Sequence, residues 1–71
     1  MNKQEYEIRH GLTLRPVTAE DTRAASTDYQ RRARYIIDDG LRQWYSLRGT
    51  LADMRDMVAA RKRYEEDGTY V

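Results

Sequence analysis

Residues 33–58 read ARYIIDDGLRQWYSLRGTLADMRDMV, and the way this stretch is divided decides the fold. Ile37, Trp44, Leu51 and Val58 each stand seven apart, and Ala33, Leu47 and Met54 supply most of the intermediate positions. Such a recurrence marks one face of a helix. Against an unbroken helix stand Gly40 and Gly49, each costing about 1 kcal/mol in a helix interior. Asp38-Asp39-Gly40 is therefore read as a weak point and Arg48-Gly49-Thr50 as a boundary. Thr50 can cap a new helix, with Asp53 three residues on in a shortened capping box. The pattern predicts one helix or a helix pair over 19–47, weak at 38–40, and another helix over 51–66 that Gly68 stops. Leu51, Met54, Met57, Val58 and Tyr64 form the apolar side of that last helix. Its end carries Arg61/Glu65, Lys62/Glu66 and Arg63/Asp67 in the weaker, base-before-acid order, which favours fraying.

Upstream, residues 1–5 are polar and expected to fray. Tyr6 and Ile8, then Leu12 and Leu14, alternate around His10-Gly11, and glycine supplies the positive φ of a tight turn. Residues 6–17 therefore read as a β element, either a hairpin or one strand over Leu12–Arg15. Pro16 ends it, having no N–H to donate. Thr18 then caps the next helix, with Asp21 three residues on and Glu20 beside it favoring the dipole. The expected fold class is mainly α: a short N-terminal β-hairpin or strand followed by two or three helices as a helical hairpin, in one small domain over 1–71.

A chain of 71 residues is short enough that a lone core is marginal, and the usual remedies are disulfides, a structural metal or association. Cysteine is absent and His10 is the one histidine, so neither a disulfide nor a nitrogen- or thiolate-ligand metal cluster can form. Association remains, and a homodimer or a contact with another protein is expected. Charged residues make up 35% of the chain, and no apolar run approaches the roughly 20 residues that span a bilayer. With no apolar signal stretch at its start, the protein is expected to be soluble and cytoplasmic.

The candidate chemistry is sparse. Ser26 and Ser46 lack a neighbouring motif glycine, His10 beside Gly11 reads as a turn residue, and the four glycines are too scattered to cradle phosphate. No enzyme, cofactor or small-molecule substrate is indicated. Asp38-Asp39-Gly40 lacks the other ligands of a calcium loop, and Asp53 and Asp56 are explained by the dipole of a first helical turn.

The net charge of +1 gives no global attraction for a polyanion. The basic residues are biased, however: only Lys3 and Lys62 among the 13 are lysine, and arginine pairs planar with carboxylate or phosphate. Arg31, Arg32 and Arg34 cluster within one turn, where phosphate contact competes with pairing to Asp28 and Asp38. The strand Leu12-Thr13-Leu14-Arg15, followed by proline and helices, is similar in outline to ribbon-helix-helix repressors. That resemblance implies a dimer whose paired strands enter the major groove, with Thr13 and Arg15 facing bases and Leu12 and Leu14 facing the core. A DNA-binding transcriptional regulator is thus the alternative reading.

The main reading rests on Leu41, Trp44, Tyr45, Leu51, Met54, Met57 and Val58. Two or three short helices cannot enclose all of this apolar stripe, so part of it is expected to meet a second chain. Tyrosine, tryptophan and arginine are the residues enriched at interface hot spots. The expectation is a small non-enzymatic regulator, an inhibitor or adaptor of the size common among phage and mobile-element accessory proteins.

Overall fold

The paired aspartates of the 33–58 stretch turn the chain instead of weakening a helix. In the computed structural model, which describes residues 1–68, the Asp38 carboxylate accepts the Gly40 N–H at 2.7 Å. Asp39 accepts the N–H groups of Leu41 and Arg42 at 2.9 and 2.6 Å. Short acidic side chains that capture nearby backbone donors compete with helix and favour turns. Gly40, at φ 91°, completes the reversal. The flanking β-branched and aromatic residues suit a pleated surface. They form strands β2 (Tyr35–Asp38) and β3 (Gln43–Ser46).

These strands are antiparallel, with Ile37 opposite Trp44 and Ile36 opposite Tyr45. The seven-residue interval that resembles a heptad is therefore a cross-strand pair. Strand β1 (Thr13–Pro16) lies on the other side of β2, pairing Leu14 with Ile37 and Arg15 with Ile36. The result is a three-stranded sheet of order β1-β2-β3. Central β2 is buried on both faces, with Ile36 and Ile37 essentially inaccessible, as expected of an apolar run covered from two sides.

The expected β element over 6–17 is replaced in its first half by helix α1 (Lys3–His10). The Asn2 side chain accepts the Glu5 N–H at 2.8 Å and caps the start. Gly11, left-handed at φ 65°, closes the end, and the Leu12 N–H reaches the Glu7 carbonyl at 2.8 Å. Gly11 thus ends a helix and does not turn a hairpin. Tyr6 and His10, one helical turn apart, stack with centroids 4.2 Å apart.

The helix or helix pair expected over 19–47 is instead two short helices, α2 (Ala19–Ala24) and α3 (Asp28–Arg32), followed by β2 and β3. Thr18 and Asp21 form a full capping box on α2. Thr27 then starts α3 by accepting the Gln30 N–H at 3.1 Å, while the Gln30 side chain accepts from the Ser26 N–H at 2.8 Å. A second capping pair so soon after the first divides the chain into two short helices. Helix α4 (Leu51–Asp67) follows a Thr50 cap and ends at the left-handed Gly68. The molecule is thus an α+β fold and not a mainly helical one.

The sheet has two working faces. Leu14, Ile37 and Trp44 form a row across one face, where Leu12, Ile37, Met54 and Met57 make the buried cluster and Tyr6, Leu14, Trp44 and Val58 pack on it. Helices α1 and α4 supply this side and touch each other. On the opposite face the Arg15 guanidinium makes two bonds to the Asp21 carboxylate, at 2.7 and 3.2 Å, and the Tyr45 hydroxyl donates to the Asp21 carbonyl at 2.9 Å. These contacts fasten α2 to the sheet, and α3 lies against β3. No helix among the described residues is long and apolar enough to cross a membrane.

Candidate interaction surface

The sheet has two edges, and they differ. Antiparallel strands direct successive residues' main-chain groups alternately toward and away from a given neighbour. The Val17 N–H donates to the Arg34 carbonyl at 2.9 Å, so Arg15 and Thr13 likewise face β2 while Leu14 and Pro16 face outward. Pro16 has no N–H to offer, which blunts the β1 edge. On the other side the Asp39 N–H donates to the Arg42 carbonyl at 3.2 Å. The same alternation turns Trp44 toward β2 and presents the N–H and carbonyl groups of Gln43 and Tyr45 at the free edge. Outside the ladder, no hydrogen bond among the described residues reaches the Gln43 or Tyr45 main chain. Strand β3 is the open edge.

Three concavities meet on this edge at Trp44. One of about 370 Å³ lies between Arg42, Trp44, Met57 and Arg61. A second, about 410 Å³, runs from Tyr45 to Tyr29, Asp53 and Asp56. A third, about 230 Å³, separates Trp44 from Asp56, Ala59 and Arg63 on α4. The half-buried indole is their common wall. Its inner side packs on the core cluster, so its position is set by the fold.

Both ends of the edge are tied to α4. At the hairpin tip Asp39, with 3% of its side chain accessible, takes an ion pair from Arg61 at 3.1 Å. Burial pushes the Asp39 carboxyl up, but the Leu41 and Arg42 N–H groups and the Arg61 guanidinium outweigh it and hold the group below its ordinary value. The Arg42 guanidinium lies 5.1 Å from the centre of the Tyr64 ring. At the other end the fully buried Ser46 hydroxyl donates to Asp53 of α4 and accepts the Gly49 N–H at 2.8 Å. Behind the sheet, the Arg15 guanidinium and then the Thr18 N–H hold the Asp21 carboxyl well below the usual carboxylate range.

The residues singled out from the sequence divide into separate places. Leu41 projects from the hairpin turn, 91% exposed. Trp44 and Tyr45 lie on β3 but on opposite faces of the sheet. Met54 and Met57 are buried core residues of α4, and Leu51 and Val58 are half-buried beside them. The seven residues do not form one helical stripe, because Leu41, Trp44 and Tyr45 belong to β3 and its turn and only Leu51, Met54, Met57 and Val58 lie on α4. Among the arginines, Arg15 is committed to Asp21, and Arg31 pairs with Asp28 at 2.5 Å. Arg32 and Arg34 are exposed, as is Thr13, whose hydroxyl contacts the Asp38 carbonyl at 3.5 Å. Strand β1 pairs with β2 of its own chain, so the paired-strand arrangement of the ribbon-helix-helix outline is not the one this fold uses. Among the described residues no group of three or more His, Cys, Asp or Glu could hold a metal ion.

The Asp39–Arg61 and Ser46–Asp53 links join segments that the sequence places in separate helices, and no local pattern marks them. The exposed strip Asp56, Ala59 and Arg63 has helical spacing, but only its place beside Trp44 makes it part of the edge. No protein family, curated protein or solved structure matches the chain.

Proposed function

We propose that this chain is a non-enzymatic interaction protein that docks a protein partner along the β3 edge and the concavities around Trp44. The observation that carries the reading is the coincidence of unpaired strand groups at Gln43 and Tyr45 with a tryptophan packed against the core. A free edge accepts an added strand through main-chain hydrogen bonds, while neighbouring pockets select its side chains. Aromatic anchors in such pockets supply much of the contact energy. The unpaired edge and its hollows suit contact more than turnover. Ser46 is buried and offers no nucleophile to solvent, and His10 lies against the Tyr6 ring with no carboxylate bonded to it among the described residues. An inhibitor or adaptor works by such contact alone. The absence of cysteine suits the reducing cytoplasm as its place of action.

Protein contact is favoured over phosphate contact because the net charge is only +1 and Arg15, Arg31 and Arg61 each hold a carboxylate. The test is retention of proteins from a nuclease-treated lysate on the immobilised chain and on its Gln43→Pro variant. Proline there removes an outward N–H and leaves the ladder to β2 intact. Protein captured by the wild type and lost from the variant is the expected result. Capture that nuclease abolishes, or capture of the same proteins on both chains, would overturn the proposal.

A further inference from the structure

The β3 edge is complementary to itself. One end carries Arg42, beside the Arg61–Asp39 ion pair, and the other carries Asp53 and Asp56. Between them stands Trp44. A two-fold contact needs a surface whose halves match each other on rotation, and an edge with opposite charges either side of a central aromatic meets that need.

We infer that the occupant of this edge is β3 of a second copy, paired antiparallel about Trp44 so that the two sheets form one continuous sheet. This inference rests on the docking surface proposed above. Antiparallel pairing centred on Trp44 places Gln43 of each copy opposite Tyr45 of the other. These are the residues whose N–H and carbonyl groups point outward, so the register uses every free group of the short strand. The two indoles become a cross-strand pair on the face that carries α4. The exposed Leu41 of one copy falls opposite Leu47 of the other, beside a hollow lined by Tyr29, Leu47 and Ala52.

Charge supports the same arrangement. The rotation that aligns β3 with its copy also runs the two α4 helices antiparallel on one face. Asp56 and Arg63 lie on the Trp44 side of α4, seven residues apart, with Ala59 between them. Antiparallel helices meeting near Ala59 bring Asp56 of each copy to Arg63 of the other. Among the described residues neither Asp56 nor Arg63 makes an ion pair within its own chain. The small core gives the contact a reason: its seven buried apolar residues include Ala33 and Ala60, and chains of this size commonly gain stability by association.

The experiment measures mass in solution by sedimentation for the whole chain, for Asp56→Arg, for Arg63→Asp and for a mixture of those two variants. The wild type is expected at twice the 8.4 kDa chain mass. Each variant alone sets like charges against each other across the axis and should dissociate about tenfold more readily. Mixing them restores both ion pairs, so a dimer containing one copy of each should reappear. A wild type that stays monomeric up to about 0.5 mM would overturn the inference, given the concentration dependence of association. So would a dimer indifferent to both substitutions, or a mixture that fails to recover. A monomer that still captures a foreign protein through Gln43 defeats only the choice of occupant. A monomer that captures nothing defeats the docking surface as well.

Discussion

A methyl group at Gly49 would stand 3.1 Å from the Tyr35 ring and 3.2 Å from Leu14 Cδ1, on backbone whose φ of 61° already disfavours a side chain. Gly40 shares a positive φ, 91°, but a methyl there meets open space. The two glycines therefore separate backbone strain from crowding. Gly40→Ala should cost about 1 kcal/mol, the price of a left-handed non-glycine residue. Gly49→Ala should cost about 2–3 kcal/mol, because overpacking adds to that strain. Urea unfolding of both variants measures the difference, and equal losses would contradict the packing around Gly49. Ser46 makes a related point. Its hydroxyl satisfies the Gly49 N–H and binds Asp53 from a site with no solvent access. Ser46→Ala should therefore destabilise by about 1–3 kcal/mol, the range for stranding a buried polar group. A loss below a few tenths would mean that the link from β3 to α4 is made elsewhere.

At the scale of elements, the caps were the legible part of the sequence. Thr18 with Asp21 and Thr50 with Asp53 start helices where their spacing places them, and Pro16 ends β1. What misled was periodicity: positions 37 and 44 are seven apart on a helical face, and they are also opposite each other across this hairpin. A pattern of apolar residues cannot distinguish the two when the loop length matches the heptad. The deciding residues are polar, namely the two aspartates that capture Gly40, Leu41 and Arg42 N–H groups. Leu41 and Trp44 read as parts of one helical stripe with Tyr45 as a further contact residue, whereas all three share a neighbourhood because β3 and its turn carry them. Asp39→Ala tests this account of the turn. It removes the acceptor for two backbone donors and leaves Arg61 without its carboxylate. Amide exchange at Leu41 and Arg42 should accelerate at least about tenfold, the kinetic equivalent of losing a hydrogen bond worth about 1.5 kcal/mol. Unchanged protection would show that Gly40 and the strands make the turn without Asp39.

For the whole molecule, both buttressing carboxylates have a consequence in acid. Asp21 ties α2 to the sheet through Arg15, and Asp39 ties α4 to the hairpin through Arg61. Both titrate below their ordinary value in the folded chain, whereas the unfolded chain returns them to about 3.9. Their ionised forms therefore favour folding above that value, and the contribution disappears as pH falls from it toward the lower folded values. Stability against urea should accordingly be insensitive to these two groups near neutrality and decline below about pH 4, where the unfolded chain takes up their protons first. Asp21→Asn and Asp39→Asn remove a titrating group each, so each should flatten part of that acid slope while lowering stability at pH 7. The pair of effects separates a tethering carboxylate from a solvated one, since a solvated aspartate would leave slope and neutral stability alike unchanged. A slope identical in wild type and both variants would mean that the layers on the two faces of the sheet are held by apolar packing alone.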